Sequence, residues 1–210
     1  IENIAETAKN FGLGSKSGVN LKGEKSGLVP NKSWKKKHHK QSWKIGETMI
    51  TGVGQGFLTT TPIQLAVMIA MFANNGKKIF PTIYKNIKGV NTNDNEVFTT
   101  QTLYQKKFFS LIKNGMFSVV NKPFGTAFGS RTSRPIFAGK TGTVQVRTIS
   151  ENERELGIIP NKDLPFNQRD HALFLGFAPY KNPKIAVSVV IEHGGSGSKI
   201  AAPIAKKIFK

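Results

Sequence analysis

The apolar period of this chain changes once, and that change sets its class. Up to Val120 apolar residues recur at helical spacing, whereas from Ile136 onward they come in short runs bounded by Gly and Pro. Thr61-Pro62-Ile63-Gln64 opens the clearest helix: Thr61 is a good N-cap, Pro62 suits the first helical position and Gln64 completes a capping box. Leu65 to Ala73 is apolar on nearly every side, which implies burial, and Gly76 can close the helix after Asn74-Asn75. A second long helix is expected over Leu103 to Val120, with Tyr104, Phe108, Leu111, Ile112 and Val119 inward and Lys106, Lys107 and Lys113 toward water. Ile1 to Lys9 reads as a helix end that Gly12 can terminate. Past the change, Ile136–Val146, His171–Ala178 and Ile185–Glu192 read as strands, and Ile200–Phe209 as a closing helix. Helices followed by three antiparallel strands and a C-terminal helix predict an α+β fold.

The remaining segments are less patterned. Leu13 to Pro30 reads as a loop with two short strands at Val19-Asn20-Leu21 and Leu28-Val29. Lys32 to Lys44 reads as a basic surface segment, Gly52 to Gly56 as an irregular turn and Lys78 to Ile87 as extended. Gly89 to Asn95 reads as a turn-rich loop, and Thr148 to Gln168 as a polar excursion whose Glu151, Glu153, Arg154 and Glu155 are solvated.

Length and composition bound the function classes. With 210 residues, 38% hydrophobic and 10% aromatic, the chain can bury a substantial core. No apolar run approaches a membrane span. The absence of cysteine excludes disulfides and thiolate metal sites. A net charge of +19 raises nucleic acid or anionic lipid as partners, and the densest run is Trp34-Lys35-Lys36-Lys37-His38-His39-Lys40. Most other lysines are scattered, and neither an RRM signature nor Cys/His zinc spacing occurs, so nucleic acid is not the expected partner. A basic, non-catalytic wall- or nucleic-acid-binding module remains the alternative class. No metal or cofactor is expected: His38 and His39 lack further ligands, Asp170 and His171 read as strand-start residues with structural hydrogen bonds, and His193 reads as a strand-end residue.

Lys140-Thr141-Gly142-Thr143 carries the strongest chemical signal. On a strand, Lys140 and Gly142 point one way and Thr141 and Thr143 the other. A cation, two hydroxyls and a glycine that admits a second backbone suit an anionic, extended substrate. K-T-G is one of three motifs of penicillin-binding proteins, with S-x-x-K and a Ser-containing triplet. Three S-x-x-K strings occur, at Ser33, Ser110 and Ser196, and Ser150-Glu151-Asn152 follows K-T-G. Ser33 sits in a hydrated lysine run, Ser110 lies mid-helix, and Ser196 and the triplet come after K-T-G, so all read as chance matches.

Several segments together resemble class B penicillin-binding proteins of cell elongation. They are Phe11-Gly12-Leu13-Gly14, Gly23 to Pro30, Gly52-Val53-Gly54-Gln55-Gly56-Phe57, Thr60 to Ala66, Gly139 to Thr143, and Arg169 to Phe174 with Gly176 to Tyr180. The resemblance spans nearly the whole chain and implies the C-terminal part of a transpeptidase (β-lactamase-like) domain over residues 1–210. It implies peptidoglycan D,D-transpeptidation through an acyl-serine, capture of β-lactams and partnership with a membrane glycosyltransferase. It also implies the outer face of the bacterial cytoplasmic membrane as location, with the anchor, nucleophile and Ser-x-Asn-type motif preceding Ile1. By the same resemblance Lys140 supplies positive potential, Thr141 and Thr143 bind a carboxylate, the Thr143 N–H completes the oxyanion hole and Gly142 admits the peptide. Gln145 lines the same edge or is a plain strand residue.

Overall fold

Thr61 and Gln64 begin α4 (Pro62–Ala73) as their spacing requires: Thr61 Oγ1 accepts from Gln64 N, and Gln64 Oε1 accepts from Thr61 N at 2.9 Å. Gln64 does more than cap. It is 1% exposed, and its Nε2 donates to the carbonyls of Ser15 and Ser26, each at 2.6 Å. A buried amide that satisfies two loop carbonyls pins the polar segment 13–30 without a sheet. At the second expected strand, Leu28-Val29, the described residues form an isolated bridge, Leu28 to Thr59. The first expected strand includes Asn20, which lies outside the described residues.

The computed structural model describes residues 1–19, 21–84 and 104–210, in two units, Ile1–Phe109 and Ser110–Lys210. The turn-rich loop expected over Gly89 to Asn95, and the end of the extended segment at Lys78 to Ile87, lie outside the described residues. The first unit holds α1 (Glu2–Asn10), α2 (Lys32–His39), α3 (Ile45–Gly52) and α4. Ala5, Leu13 and Val29 form a small core with Ala8, Leu58 and Met68, and the Phe11 ring stacks on Phe72 at 4.5 Å.

The basic segment is only partly a solvated surface. Asn31 caps α2 by accepting from Trp34 N at 2.8 Å, and Trp34 packs against His38, His39 and Phe57. Lys35 is 2% exposed and ion-paired with Glu47. Glu47 also accepts from Lys44 N at 2.7 Å, closing the first turn of α3, a helix that the glycines around it conceal in the sequence. The Lys35 hydrogen bond, then the Lys44 N–H, hold the Glu47 carboxyl below its ordinary range.

The second long helix, α5, runs Lys106–Asn121 among the described residues, and its buried stripe differs from the expected one. Phe109, Met116 and Val120 are buried, whereas Phe108, Leu111 and Ile112 are exposed, Leu111 by 65%. An apolar run this dense admits two stripes one residue apart, and packing partners choose between them.

The second unit is built on an antiparallel sheet of order β1-β2-β3, with β1 Ala138–Val144, β2 His171–Ala178 and β3 Ile185–Ile191. One face of β2, with Ala172, Phe174 and Ala178, joins Val189, Phe137 and Val120 and the residues Ala202, Ala205 and Phe209 of α7 (Ala202–Phe209) in the core. The alanines let the helix lie close to the sheet. A π-helical turn, Gly197–Ala201, leads into α7, where a continuous helix from Ile200 was expected. The α+β expectation of helices, three antiparallel strands and a closing helix agrees with this architecture.

Replacing Gln64 with Leu leaves two half-buried carbonyls without their partner and removes the side-chain half of the capping box, while the Thr61 cap to the residue-64 N–H remains, a loss of roughly 1–3 kcal/mol. Both tryptophans, Trp34 and Trp43, lie with Gln64 in the first unit, so denaturant unfolding followed by their fluorescence reads the change. A shift under about 0.5 kcal/mol would show that water satisfies the two carbonyls instead.

Candidate active site

The residues Lys140 to Thr143 lie within β1, the edge strand of the sheet. Their register on β2 fixes two faces. Lys140 pairs with Leu175 and Gly142 with Leu173, while Thr141 pairs with Phe174 and Thr143 with Ala172. Directly paired residues share a face, so lysine and glycine face one way and both threonines the other. Lys140 and Thr143 are exposed, and Thr141 and Gly142 are partly so. Gln145 lies just past the strand end and is exposed.

Three contacts that the sequence does not reveal hold this strand. The Phe174 ring lies over Gly139 and Gly176, and a methyl group at either glycine would run into it. Gly197 of the π-helical turn rests against the backbone of Gly142 and the Leu173 carbonyl, so closely that a side chain there would collide with both. Gly142 is therefore approached by the chain's own backbone, in addition to any ligand. Thirdly, Thr126 Oγ1 lies 3.0 Å from Thr141 Oγ1. Thr126 reaches that place because Gly125 packs under the carbonyls of Ser118 and Val119 at the end of α5, and Ala127 N donates to Val119 O at 2.9 Å. Lys140 Nζ donates to the Thr141 carbonyl at 2.6 Å, which keeps the ammonium on the strand surface.

The C-terminal end of β1 is clamped. Arg147 and Glu153 form a two-bond pair, with Nη1 to Oε2 at 2.6 Å, and Glu153 also accepts from Ile159 N at 3.1 Å. The excursion is thus not simply solvated: α6 (Glu151–Leu156) forms in it, capped by Ser150, whose Oγ accepts from Glu153 N. The Arg147 hydrogen bond, then the Ile159 N–H, hold the Glu153 carboxyl at about 2, below its ordinary 4.5.

The serines of the other motif matches are occupied locally or lie away from the strand. Ser33 Oγ donates to Asn31 Oδ1 at the start of α2, and Ser196 Oγ accepts from Lys199 N as a cap. Ser110 is exposed in the middle of α5, and Ser150 is the cap just described. Asp170 and the histidines make structural bonds. Asp170 Oδ2 accepts from Asn161 Nδ2 at 2.9 Å, and His193 N donates to His171 Nδ1 at 2.9 Å. Among the described residues no three His, Asp or Glu side chains converge as metal ligands.

The K-T-G residues thus lie on a strand of the sheet against which the turn leading into the C-terminal helix packs, Gly197 on Gly142. The whole chain, residues 1–210, matches the family described as "Penicillin binding protein transpeptidase domain", and the chain belongs to that family. It is 36% identical to the peptidoglycan D,D-transpeptidase MrdA of Haemophilus influenzae, a match covering 100% of this chain and 32% of the relative. It is 34% identical to MrdA of Escherichia coli K12, covering 95% of this chain and 32% of the relative. The chain spans about a third of the length of these curated relatives. Among solved structures, Pseudomonas aeruginosa PBP2 in complex with WCK 5153 superposes with a TM-score of 0.78 at 36% identity, covering 99% of this chain and 41% of that one. PBP2 of Helicobacter pylori, solved with MreC, has a TM-score of 0.78 at 34% identity, covering 98% and 34%.

The depressed Glu153 carboxyl gives the clamp a pH dependence of known sign. Its folded-state value lies below the unfolded one, so its contribution is complete above about pH 4.5 and is lost as pH falls through 2. The protection of residues 147–160 against hydrogen exchange, taken relative to the intrinsic exchange rate at each pH, should fall between those values, and Glu153→Gln should show the low protection already at pH 6. Protection that stays constant from pH 6 to 2 would show that the pair does not hold the segment.

Proposed function

We propose that this chain forms the K-T-G side of a serine peptidoglycan D,D-transpeptidase, with the nucleophilic serine and the Ser-x-Asn-type motif supplied by sequence preceding Ile1. The observation that supports it most is the outer edge of β1, which pairs with no other strand among the described residues and where Lys140 and Thr143 are exposed, in a chain that belongs to this family. An extended stem peptide would lie along that edge as an added strand. Lys140 would supply positive potential beside the acyl centre, and the hydroxyls of Thr141 and Thr143 would hold the carboxylate of the donor peptide or of a β-lactam. Gly142 keeps the edge low, and Gln145 extends it past the strand end. The serine Oγ would add to the scissile carbonyl, the developing oxyanion would take the Thr143 N–H, and the amine would leave with the serine's proton. A second peptide's amine would then take the acyl group.

The partner and location follow the same reading. The H. pylori relative was solved with MreC, and a partner of that kind, along with a membrane glycosyltransferase, fits an enzyme working at the outer face of the cytoplasmic membrane. No helix among the described residues is long and apolar enough to cross a membrane, so an anchor would come from elsewhere in the polypeptide.

Fluorescent penicillin, read by denaturing gel and intact mass, tests the division of labour. This chain alone should form no covalent adduct, and the form extended N-terminally should form one per molecule. An adduct on Ser110 or Ser196 would overturn the reading.

In the extended form, Lys140→Ala should slow β-lactam acylation about a hundredfold, roughly 3 kcal/mol, with little change in melting temperature. Thr143→Val should also slow it while keeping the backbone N–H. Unchanged second-order acylation rates in both variants would remove this strand from the chemistry.

A further inference from the structure

A cavity of about 530 Å³ lies between the excursion after β1 and the turn before α7, and none of the roles above uses it. Its volume falls in the range of small-ligand sites. Its charged lining is entirely positive: Lys162, Arg169 and Lys199, with Asn161, Ser196 and the Gly194-Gly195 backbone between them. None of the three cations takes part in an ion pair among the described residues. Arg169 is fixed in the wall, its Nε donating to the Leu164 carbonyl at 3.0 Å and its Nη2 to the Lys162 carbonyl at 3.4 Å. Asp170, the carboxylate next to Arg169, does not line the cavity, and its oxygens are taken up by Asn161 Nδ2 at 2.9 Å and Val146 N at 3.4 Å. Like charges gathered around a concavity with no counter-charge focus a positive potential, which draws an anion.

The cavity stands at the C-terminal end of β1. Asp170, which follows Arg169, contacts Val146 N, and its carbonyl accepts from Gly195 N at 2.8 Å. Gly197, two residues past Gly195, rests on Gly142. A peptide lying along β1 and held at Thr143 would therefore continue toward this cavity. Peptidoglycan stem peptides carry carboxylates along their length as well as at their C-terminus. We propose that Lys162, Arg169 and Lys199 form a second carboxylate subsite, which takes a stem-peptide carboxylate other than the one at the acyl centre and so selects acidic peptides. This rests on the transpeptidase reading for the identity of the ligand. A phosphate group offers similar oxygens, but the placement beside the peptide edge favours the carboxylate.

The test is calorimetric titration of the full-length polypeptide with three probes: a soluble muramyl pentapeptide, the same peptide with its non-terminal carboxylates converted to amides, and inorganic pyrophosphate. Lys162 and Lys199 are exposed, so the double variant Lys162→Gln/Lys199→Gln leaves the core intact, and its melting temperature checks this. The double variant should bind the acidic peptide about tenfold more weakly, and raised salt should weaken the unsubstituted protein in the same direction. The amidated peptide should bind weakly to both proteins alike. Equal affinity of the two peptides, an unchanged affinity in the double variant, no binding of the acidic peptide, or tighter binding of pyrophosphate would each overturn the proposal. Acylation of the unsubstituted protein by a β-lactam, measured beside the titration, reports on the K-T-G strand independently. Its failure would remove the transpeptidase reading while a charge-dependent peptide affinity would still stand.

Discussion

The second unit depends on a close approach of backbones at Gly142 and Gly197. The turn before α7 meets β1 with no side chain between them, and on the same sheet the Phe174 ring fills the space that Gly139 and Gly176 leave empty. Removing side chains at these points is what lets a helix and a large aromatic ring share one face of a narrow sheet. The result is an edge strand seated firmly on its inner side and open on its outer one. An edge that must receive another chain needs that asymmetry, because a strand free on both sides would not hold its polar groups in place.

The chemistry of the edge follows from this seating. The register on β2 sends Lys140 and the two threonines to opposite faces, and the Thr126 hydroxyl beside Thr141 ties the loop after α5 to the strand. Beyond the strand end, the Arg147–Glu153 pair turns the chain into an ordered excursion instead of a loose one. The same excursion brings Lys162 and Arg169 to face Lys199. The basic character of the chain, diffuse when read as a net charge of +19, thus becomes local at two places: the partly buried α2, where Lys35 is neutralised by Glu47, and the cavity, where no carboxylate among the described residues lines the wall with the cations.

The first unit shows a parallel economy. Gln64 serves as capping residue and as the partner of two remote loop carbonyls, so one buried amide orders a segment rich in glycine and serine. The capping role is visible in a stretch of four residues. The remote role is not, because Ser15 and Ser26 lie 49 and 38 residues away along the chain.

By itself the sequence determined what depends on neighbours within a few residues. The start of α4, the strand character around Lys140, the antiparallel strands after it and the α+β order all follow from capping chemistry and apolar period, and the family was legible in K-T-G with its flanking segments. Tertiary structure decided what depends on residues far apart. It chose the buried stripe of α5, made helices of the lysine run and of Ile45–Gly52, and turned Glu153 from a solvated charge into a clamp. It also set Thr126 beside Thr141 and gathered three cations around one cavity. Local pattern constrains backbone conformation because capping bonds and apolar faces span only one or two turns. Contacts between distant segments leave no such period, and packing alone selects them.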